Sequence, residues 1–307
     1  MSSAGGERAG DGVALVTVTH DSEAELGALL DSVGRHLPGA RVVVADSASS
    51  DGSVARARAW EGGAELLELG ENVGFGRASN AGVRLVREPV TVLLNPDVEL
   101  LDGSLAELAR ELMRPGLPER ILAPLVLLAD GSRQDSAHPE PATPPLLLSA
   151  LLPPSALTPR LRAALEPWRS EQPRRVGWAV GCCLAARTET LLRLGPFDES
   201  VFLYAEDLEL GLRAADAGVQ TWFWPSARVL HKGAHSSSRA FGGEPFELLA
   251  RRRRAVVGER RGPLRARLDD LQQLVTFCDR IALKTLLRRP AERERRQLEA
   301  LRRSRRS

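Results

Sequence analysis

Hydrophobic residues in the first hundred positions form short unbroken runs that are separated by amphipathic stretches. Val13–Thr19 is continuously apolar or β-branched, which is typical of a strand buried on both faces. Ser22–Leu37 places its leucines on one side, and the pattern predicts a helix whose N-cap is the initial serine. Arg41–Ala45, Ala64–Leu69 and Val90–Leu94 are predicted as further strands. Strands that alternate with helices in this way predict an α/β fold with a mostly parallel sheet and right-handed crossovers.

Polar residues follow several of these predicted strands at the point where each strand ends. Thr19 and His20 follow the first strand, Asp46 follows the second, and the run Asn95–Asp97 follows Val90–Leu94. A single aspartate at such a position usually forms a turn or caps a helix. Because ligands bind beyond the carboxyl ends of parallel strands, several polar groups at one edge favour a binding site.

A glycine-rich loop, Glu71–Gly82, lies between two of the predicted strands. Gly74 and Gly76 begin a pattern similar to GxGxxG, but Ser79 occupies the last glycine position. The loop also follows the third strand, so a dinucleotide-binding fingerprint fits poorly. The alternative is a loop that leads into a helix over Ala78–Val86, with the amide end of that helix facing a diphosphate.

A second group of polar residues is predicted around the start of a later helix. The apolar and aromatic stretch Phe197–Tyr204 leads to Glu206 and Asp207, and His231 follows a strand-like run at Thr221–Trp224. Carboxylates in the first turn of a helix commonly interact only with the helix dipole. The aromatic residues before the pair and the histidine after it favour a functional site.

Composition and charge narrow the class of protein. Hydrophobic residues make up 43% of the 307, which excludes global disorder, and the three cysteines do not form a disulfide framework. Buried reduced thiols are expected at Cys182, Cys183 and Cys278. Without a recognisable signal peptide or membrane span, the expected location is the cytoplasm.

The tail of the chain is basic although the whole chain has a net charge of only +2. Residues 251–307 contain 19 Lys and Arg against 7 Asp and Glu. This asymmetry favours a polyanionic neighbour, either an anionic membrane surface or a nucleic acid. Helices are predicted at Glu247–Val257 and Leu264–Leu287, and the apolar stripe of the second allows either attachment to the inner face of the membrane or a homodimer.

In the proline-rich segment Ala137–Pro173, Leu146–Leu152 is a candidate contact for a lipid-linked acceptor or another subunit.

The motifs VTVTHDSEAEL, VVVADSASSDGS, ENVGFGRASNAG, LLNPDVEL and GPFDESVFLYAEDLELGLRAADAG, in this order, resemble the family 2 inverting glycosyltransferases with a GT-A fold. The chain looks most like rhamnosyltransferase-type members that act on cell-wall or O-antigen lipid-linked sugars. The resemblance covers about Val13 to Ser238. It implies a GT-A domain over 13–240 with an acceptor-side insertion at 137–173. The Gly- and Ser-rich composition of residues 1–12 predicts a disordered N-terminus, and the helical pattern after the domain predicts a basic helical extension over 241–307.

The resemblance also implies roles for individual residues. Asp207 would be the general base, with Glu206 beside it. Asp97 would be the main metal ligand, because only the last carboxylate of the family's DxD-type motif remains, and His231 would complete the metal site. The residues assigned to binding the sugar-nucleotide donor are Thr19, His20, Asp46, Asn72, Gly74, Asn80 and Asn95. Trp178 and Tyr204 are expected to line the acceptor pocket, with core packing as the alternative for the tryptophan.

These residue types suit transfer of a sugar from a nucleotide donor. A divalent cation, Mg²⁺ or Mn²⁺, would neutralise the leaving diphosphate, and a carboxylate would accept the proton of the acceptor hydroxyl. The resemblance favours dTDP-rhamnose over a UDP-sugar as donor, and a cell-envelope glycan or lipid-linked sugar as acceptor. A nucleotidyltransferase is an alternative, although no NTP-binding loop rich in Gly, Arg and Lys follows the first strand. A non-catalytic basic protein that binds nucleic acid or membrane is the other alternative, and nucleic acid is the less favoured partner.

Overall fold

A nine-stranded mixed sheet runs through the centre of the molecule. The structure is a computed structural model that describes residues 8–144, 146, 158–199, 204–232 and 245–305. The strands are β1 (Val13–Thr19), β2 (Arg41–Asp46), β3 (Ala64–Glu68), β4 (Val90–Leu94), β5 (Val98–Leu100), β6 (Arg120–Leu127), β7 (Ala137–His138), β8 (Arg174–Val176), β9 (Trp178–Ala179), β10 (Cys183–Arg187) and β11 (Gln220–His231).

The strand order across the sheet is β3-β2-β1-β4-β10-β6-β11-β5, with β8 paired to β11. Strands β3, β2, β1 and β4 are parallel, and β6 is parallel to β11. Strand β10 runs antiparallel between β4 and β6 and joins the two parallel parts. Strands β7 and β9 form a separate two-stranded ribbon. The predicted α/β fold is confirmed.

The helices largely follow the predicted positions. They are α1 (Glu23–His36), α2 (Ser53–Arg58), α3 (Phe75–Leu85), α4 (Leu105–Leu112), α5 (Pro159–Leu165), α6 (Thr188–Leu194), α7 (Glu206–Asp216), α8 (Phe246–Arg261), α9 (Pro263–Leu286) and α10 (Glu292–Ser304). Two helix bounds of the prediction were wrong, and one cap differs in detail. Helix α3 begins at Phe75, before the predicted Ala78, because Gly74 at φ 82° turns the chain into the helix. Ser22 is the N-cap residue of α1, as predicted, but its side chain makes no capping hydrogen bond, since its hydroxyl donates to the carbonyl of His20 at 3.0 Å. Helix α8 continues past Val257 to Arg261.

Two apolar layers cover the opposite faces of the sheet. On β1, Leu15 belongs to the layer that contains Leu30 of α1, whereas Val16 belongs to the layer that contains Val83 of α3. All seven residues of β1 are buried, as the continuous apolar run predicted. Burial on both faces fixes the strand ends rigidly at the edge where the polar residues lie.

Helices α8, α9 and α10, hereafter the helical extension, pack against each other and against α7. Leu208 and Leu212 of α7 share one apolar cluster with Val256 and Val257 of α8. Several basic side chains of α8 form ion pairs at these contacts, namely Arg253 with Asp269, Arg254 with Asp270, Arg260 with Glu209 and Arg261 with Asp216. Part of the positive charge that favoured a polyanionic neighbour, either an anionic membrane or a nucleic acid, is therefore neutralised inside the fold.

Two predicted segments lie largely or partly outside the described residues. These are Leu146–Leu152 and the approach to the carboxylate pair at Phe197–Tyr204. The described part of the proline-rich segment contains α5 and a short 3₁₀ turn at Pro167–Arg169. None of the described helices combines the length and the apolar character that crossing a membrane requires.

Candidate active site

The strand-end cluster, formed by Thr19, Asp46, Ser47 and Asn72, lies at the carboxyl edge of the parallel strands. The Ser47 amide donates to the Thr19 carbonyl at 2.9 Å, which joins the ends of β1 and β2. The Ser47 hydroxyl donates to the Asn72 side-chain oxygen at 3.4 Å and accepts from the Val73 amide at 3.1 Å. The structure thus brings together polar residues that the sequence placed on separate strands.

Asp46 has an unused hydrogen-bond acceptor in this cluster. Its side chain is only 3% exposed, and its Oδ2 accepts from the Ser49 amide at 3.1 Å. Its Oδ1 has no hydrogen-bond partner within the part of the chain that the structure describes. Leaving a buried carboxylate oxygen unpaired is costly, so this atom is suited to accept from an N–H group of a ligand, such as that of a pyrimidine base.

Two other predicted donor-binding residues support the loop around this cluster. The exposed ring of His20 donates from Nδ1 to the Ser47 carbonyl at 2.8 Å. The side-chain oxygen of Asn72 accepts from the Gly74 amide at 3.1 Å. Gly74 immediately precedes α3, so the amide end of this helix lies next to the strand-end cluster.

Asn80 has a different role from the one expected. Its Nδ2 donates to the Phe197 carbonyl at 2.8 Å and to Glu199 at 3.1 Å, and its Oδ1 accepts from the Phe197 amide at 3.0 Å. The side chain is buried and its polar atoms are occupied within the fold. In this structure Asn80 therefore links α3 to the segment after α6, and both polar atoms of its side chain bond to protein groups rather than facing a ligand site.

Asp97 and His231 lie against each other, although the sequence separates them by more than a hundred residues. The Asp97 Oδ1 is 3.2 Å from the His231 Nε2, and both side chains are buried. Pairing of β5 with β11 brings them together, because His231 is in register with Val98, the residue after Asp97. Residue Asn95 is held nearby through its own carbonyl, which accepts from the Val98 amide at 3.2 Å.

Gln134 fixes the orientation of the His231 ring and was not singled out from the sequence. Its side-chain oxygen accepts from the His231 Nδ1 at 2.7 Å. With the proton on Nδ1, the Nε2 lone pair is directed to the side where Asp97 lies. Metal-binding histidines typically have such a second hydrogen bond, which selects the tautomer and orients the ring.

The carboxylate pair Glu206 and Asp207 begins α7 after an unusual backbone turn. Tyr204 and Ala205 both have left-handed backbone conformations, with φ of 72° and 65°, which non-glycine residues seldom adopt. Burial raises the pKa of Glu206 to about 8, and the charge of Asp207 adds to this effect. Burial also raises the pKa of Asp207, opposed by hydrogen bonds from the Gly181 amide at 3.2 Å and from its neighbour in α7.

A short segment before β10 connects the carboxylate pair to the Asp97 region. The Gly181 amide donates to Asp207, and the next residue, Cys182, accepts at its carbonyl from the Asn95 amide at 3.0 Å. Burial raises the pKa of the Cys182 thiol well above its usual value, with smaller effects from the charges of Cys183, Asp97 and Asp207. Asp97 and Asp207 therefore face the same segment. Cys182 and Cys183 are free and buried, as predicted, whereas Cys278 is free but only half-buried. The sequence did not indicate the connection through Cys182.

A cavity of about 300 Å³ opens next to the carboxylate pair. Glu206 and Asp207 line it together with Trp178 and Tyr204, the two residues that were expected in an acceptor pocket. The remaining lining residues are Val180, Ala205, Leu208 and, from the helical extension, Phe246, Leu249, Ala250, Arg253, Gln273, Phe277, Arg293, Gln297 and Leu301. More than half of the lining residues thus come from the extension, which the sequence analysis had treated as separate from the site.

Asp97 and His231 fit a divalent cation that receives its other ligands from a substrate. Across residues 8–144, 146, 158–199, 204–232 and 245–305 there is no group of three or more His, Cys, Asp and Glu arranged to hold a metal ion. The Nε2 of His231 is buried and makes no hydrogen bond to the described residues. A carboxylate and an imidazole with a free lone pair are suitable ligands for Mn²⁺ or Mg²⁺ when phosphate oxygens and water complete the shell.

Comparisons with known proteins agree with this architecture. The sequence profile of Glycosyl transferase family 2 matches residues 14–117. N-acetylglucosaminyl-diphospho-decaprenol L-rhamnosyltransferase of Mycobacterium tuberculosis is 35% identical over 217 residues, which are 64% of this chain and 68% of the relative. The profile match covers β1 from its second residue, β2 to β4 and the strand-end cluster.

Two solved structures share the fold at low sequence identity. The mannosyltransferase PcManGT from Pyrobaculum calidifontis, solved in complex with GDP-Man and Mn²⁺, has a TM-score of 0.60 at 16% identity, and the match covers 97% of this chain and 88% of that one. GalNAc-T7, solved with UDP, GalNAc and Mn²⁺, has a TM-score of 0.57 at 18% identity, over 80% of this chain and 47% of its own. The chain thus spans about half of GalNAc-T7 and most of PcManGT. The GT-A fold that the motifs implied is confirmed.

Proposed function

The chain belongs to glycosyl transferase family 2, and from that premise we propose that it transfers L-rhamnose from dTDP-rhamnose to an N-acetylglucosaminyl-diphospho-lipid. The mycobacterial relative carries the name of a rhamnosyltransferase with an acceptor of this kind. The donor base and sugar rest on the resemblance in the motifs. The reaction class, a glycosyl transfer, follows from the family itself.

One observation gives the proposed site its strongest support. Gly181 and Cys182 bond to Asp207 on one side and to Asn95 on the other, so the carboxylate pair and the Asp97 region face one segment. A transferase that inverts its donor carbon needs this arrangement, because the acceptor hydroxyl and the leaving diphosphate lie on opposite sides of that carbon. In our proposal Asp207 lies on the acceptor side, whereas Asp97 and His231 lie on the diphosphate side.

In the proposed reaction Asp207 acts as the general base. The acceptor oxygen forms a bond to the donor anomeric carbon, the bond from that carbon to the diphosphate oxygen breaks, and its electron pair leaves with the diphosphate. The acceptor proton moves to Asp207. Because burial raises the pKa of Glu206 to about 8, Glu206 holds a proton at neutral pH and leaves Asp207 as the charged member of the pair.

The donor side is assigned to the strand-end cluster and to the Asp97 region. Asp46 would accept from the N–H of the thymine base, and Asn72 with Gly74 would lie under the ribose and diphosphate. Asp97 and His231 would hold a divalent cation, whose charge would stabilise the departing diphosphate. Mn²⁺ is favoured over Mg²⁺ because one of the two protein ligands is an imidazole.

The test is a transfer assay with the full-length protein, dTDP-rhamnose and a GlcNAc-diphospho-polyprenol, with the product identified by mass. We expect transfer of one deoxyhexose in the presence of Mn²⁺ and its loss on chelation. UDP-glucose and UDP-GlcNAc, tested in place of dTDP-rhamnose, serve as control donors. Efficient transfer from a UDP-sugar would reject rhamnose as the transferred group, and transfer that is indifferent to EDTA would reject the metal role.

A further inference from the structure

Helix α9 is attached to the rest of the fold through a face that carries several polar residues. The residues of this face are Ala266, Asp269, Asp270, Gln273, Phe277 and Lys284. Asp269 accepts from Arg253 of α8 at 2.7 and 2.8 Å. Lys284 donates to Glu294 of α10 at 2.7 Å. Because these contacts recur at helical spacing along the whole length of α9, they fix the rotation of the helix about its axis.

The opposite face of α9 is an apolar stripe, hereafter the seam. It consists of Leu264, Leu268, Leu271, Val275, Cys278, Ala282 and Leu286. The side chains of Leu264, Leu271 and Leu286 are 68%, 50% and 79% exposed. No residue of the seam belongs to the apolar clusters that the described residues form. Amphipathic helices usually direct their apolar stripe to the core, so α9 presents a surface that is suited to a partner.

The spacing of the seam is that of a helix that packs against another helix. From Leu264 to Ala282 its members follow one another at alternating steps of four and three residues, the pattern of a coiled coil with a period of about 3.5. Such a seam is narrower than the apolar face of an ordinary amphipathic helix. The exposed charges of Arg267 and Asp279 border it on opposite sides. A membrane surface of a single charge would attract one of them and repel the other, which favours a protein partner.

The side chains of the seam become smaller along the helix, and this gradient indicates the partner. Three leucines occupy its first half, and Val275, Cys278 and Ala282 follow. In an antiparallel pair of identical helices, Leu271 faces Val275, Leu268 faces Cys278 and Leu264 faces Ala282 of the second copy. Large side chains that face small ones fill the space evenly, whereas a parallel pair would place the small residues against each other. We propose that the seam joins two copies of this chain in an antiparallel homodimer.

Charges beside the seam are complementary in the same arrangement. Arg265 and Asp279 lie on the same flank of the seam, and the antiparallel pairing brings Arg265 of one copy to within about 3 Å of the height of Asp279 of the second. Two-fold symmetry produces this pair twice. In a parallel pair Asp279 would lie beside Leu274, which offers no opposite charge. Flanking charges of this kind select the orientation of paired helices.

The length of the seam sets the strength that we expect. From Leu264 to Ala282 it extends for about 27 Å. A single pair of helices of this length lies near the lower limit for a specific interface, about 1,000 Å² of total buried surface. The dimer should therefore dissociate at micromolar concentrations. This inference does not depend on the proposed function, because it involves no substrate.

The first experiment is sedimentation velocity of the full-length protein between about 1 and about 100 µM. Wild type should change from monomer to dimer across this range. Leu271→Glu should remain a monomer, because it would place a charge inside the apolar interface. Leu192→Glu is the matched control, since this leucine of α6 is 47% exposed, similar to Leu271, and lies outside the seam. The control should dimerise like wild type, and both variants should keep the wild-type Tm.

The second experiment tests the antiparallel register through the native Cys278. In this register Leu268 faces Cys278 of the second copy, so mild oxidation of Leu268→Cys should produce a disulfide-linked dimer. Wild type should form no such dimer, because its two Cys278 residues would lie about 15 Å apart along the helices, beyond the ~7 Å between Cα atoms that a disulfide spans. Adding Cys278→Ser to Leu268→Cys should abolish the cross-link.

Three results would overturn the inference. A wild type that stays monomeric at every concentration, or a dimer that survives Leu271→Glu, would reject the seam as the interface. Among monomeric outcomes, binding to phosphatidylglycerol vesicles that is lost in Leu271→Glu would assign the seam to a membrane, and a lower Tm in Leu271→Glu would assign it to a segment of the same chain. An oxidative cross-link through Cys278 in wild type would reject the antiparallel register.

Discussion

The two proposed binding regions, hereafter the donor side and the acceptor side, are built in different ways. The donor side consists of the ends of β1, β2 and β4 and their loops, and side chains such as Asp46 emerge there from a sheet buried on both faces. The acceptor side is a cavity between α7 and three helices of the extension, whose lining residues span more than a hundred positions. The family profile ends at residue 117 and so covers only the first of these sides.

This difference indicates which of the two binding regions can change more easily in sequence and shape. Backbone geometry places the donor residues, so each of them depends on a strand end that cannot move without disturbing the sheet. The acceptor cavity depends instead on helix contacts and on ion pairs such as Arg253 with Asp269 and Arg260 with Glu209. Changes in such contacts can reshape a pocket while the sheet stays intact. We infer that the nucleotide is the more constrained of the two substrates.

The largest effect is expected on changing Asp207, which is proposed to act between the donor side and the acceptor side. Asp207→Asn keeps the size of the side chain but cannot accept a proton, so kcat should fall by ~10² or more, which corresponds to about 3 kcal/mol of transition-state stabilisation. Nucleotide affinity, measured by calorimetry, should be unchanged. Asp216→Asn, at the exposed end of the same helix, is the matched control and should retain kcat. Normal turnover in Asp207→Asn would assign the base to another group and make Glu206 the next residue to change.

A smaller effect is expected from a residue that acts only on the donor side. Gln134→Leu removes the acceptor of the His231 Nδ1 proton, and Mn²⁺ affinity in the presence of dTDP should fall by about 10-fold. Asp97→Asn should reduce Mn²⁺ affinity further, whereas Gln134→Glu keeps an acceptor oxygen and should restore most of it. Titration of Mn²⁺ followed by electron paramagnetic resonance measures these affinities without turnover. An equal rise in acceptor KM would show that the two sides are coupled.

The smallest effect concerns stability on the acceptor side and depends on pH. The pKa of Glu206 is raised from 4.5 to about 8, so between these values the folded protein binds more protons than the unfolded chain, and stability falls as pH rises. Glu206→Gln cannot ionise and should escape this loss. We expect its Tm to match wild type near pH 5 and to exceed it by about 3 °C at pH 8.5. A Tm difference that is the same at every pH would contradict the proposed protonation of Glu206.

The sequence predicted the strands of the donor side well because their signals are local. The apolar run of β1 and the aspartate that ends β2 can each be recognised from a few neighbouring residues. Donor binding by these residues stays a prediction. Asp97 and His231 needed the resemblance to a family, since no local pattern indicates that β5 pairs with β11. The Asp97 Oδ1 and the His231 Nε2 lie 3.2 Å apart, whereas the role of these residues as metal ligands stays a prediction.

The sequence indicated Trp178 and Tyr204 for the cavity but not the residues of the extension that line it, for a physical reason. The apolar stripe of a helix shows which face is buried but not which element covers it, so Phe277 and Arg293 carried no signal of a shared cavity with Asp207. The division into a domain over 13–240 and an extension over 241–307 stays a prediction, as does attachment to an anionic membrane. Residues of both parts line the same cavity, so the proposed active site is not confined to the first part.

Nuclear magnetic resonance can follow the charge on Asp207 through the hydrogen bond that the Gly181 amide donates to it. An amide proton that is bonded to a carboxylate resonates at a different frequency from one bonded to a carboxylic acid. In a spectrum of protein labelled with ¹⁵N-glycine, the Gly181 signal should therefore move with the charge on Asp207. Because the same segment bonds to Asn95 through Cys182, that signal is also placed to sense a nucleotide arriving on the other side. The charge on Asp207, the proposed base, could then be followed in the resting protein, before any sugar is transferred.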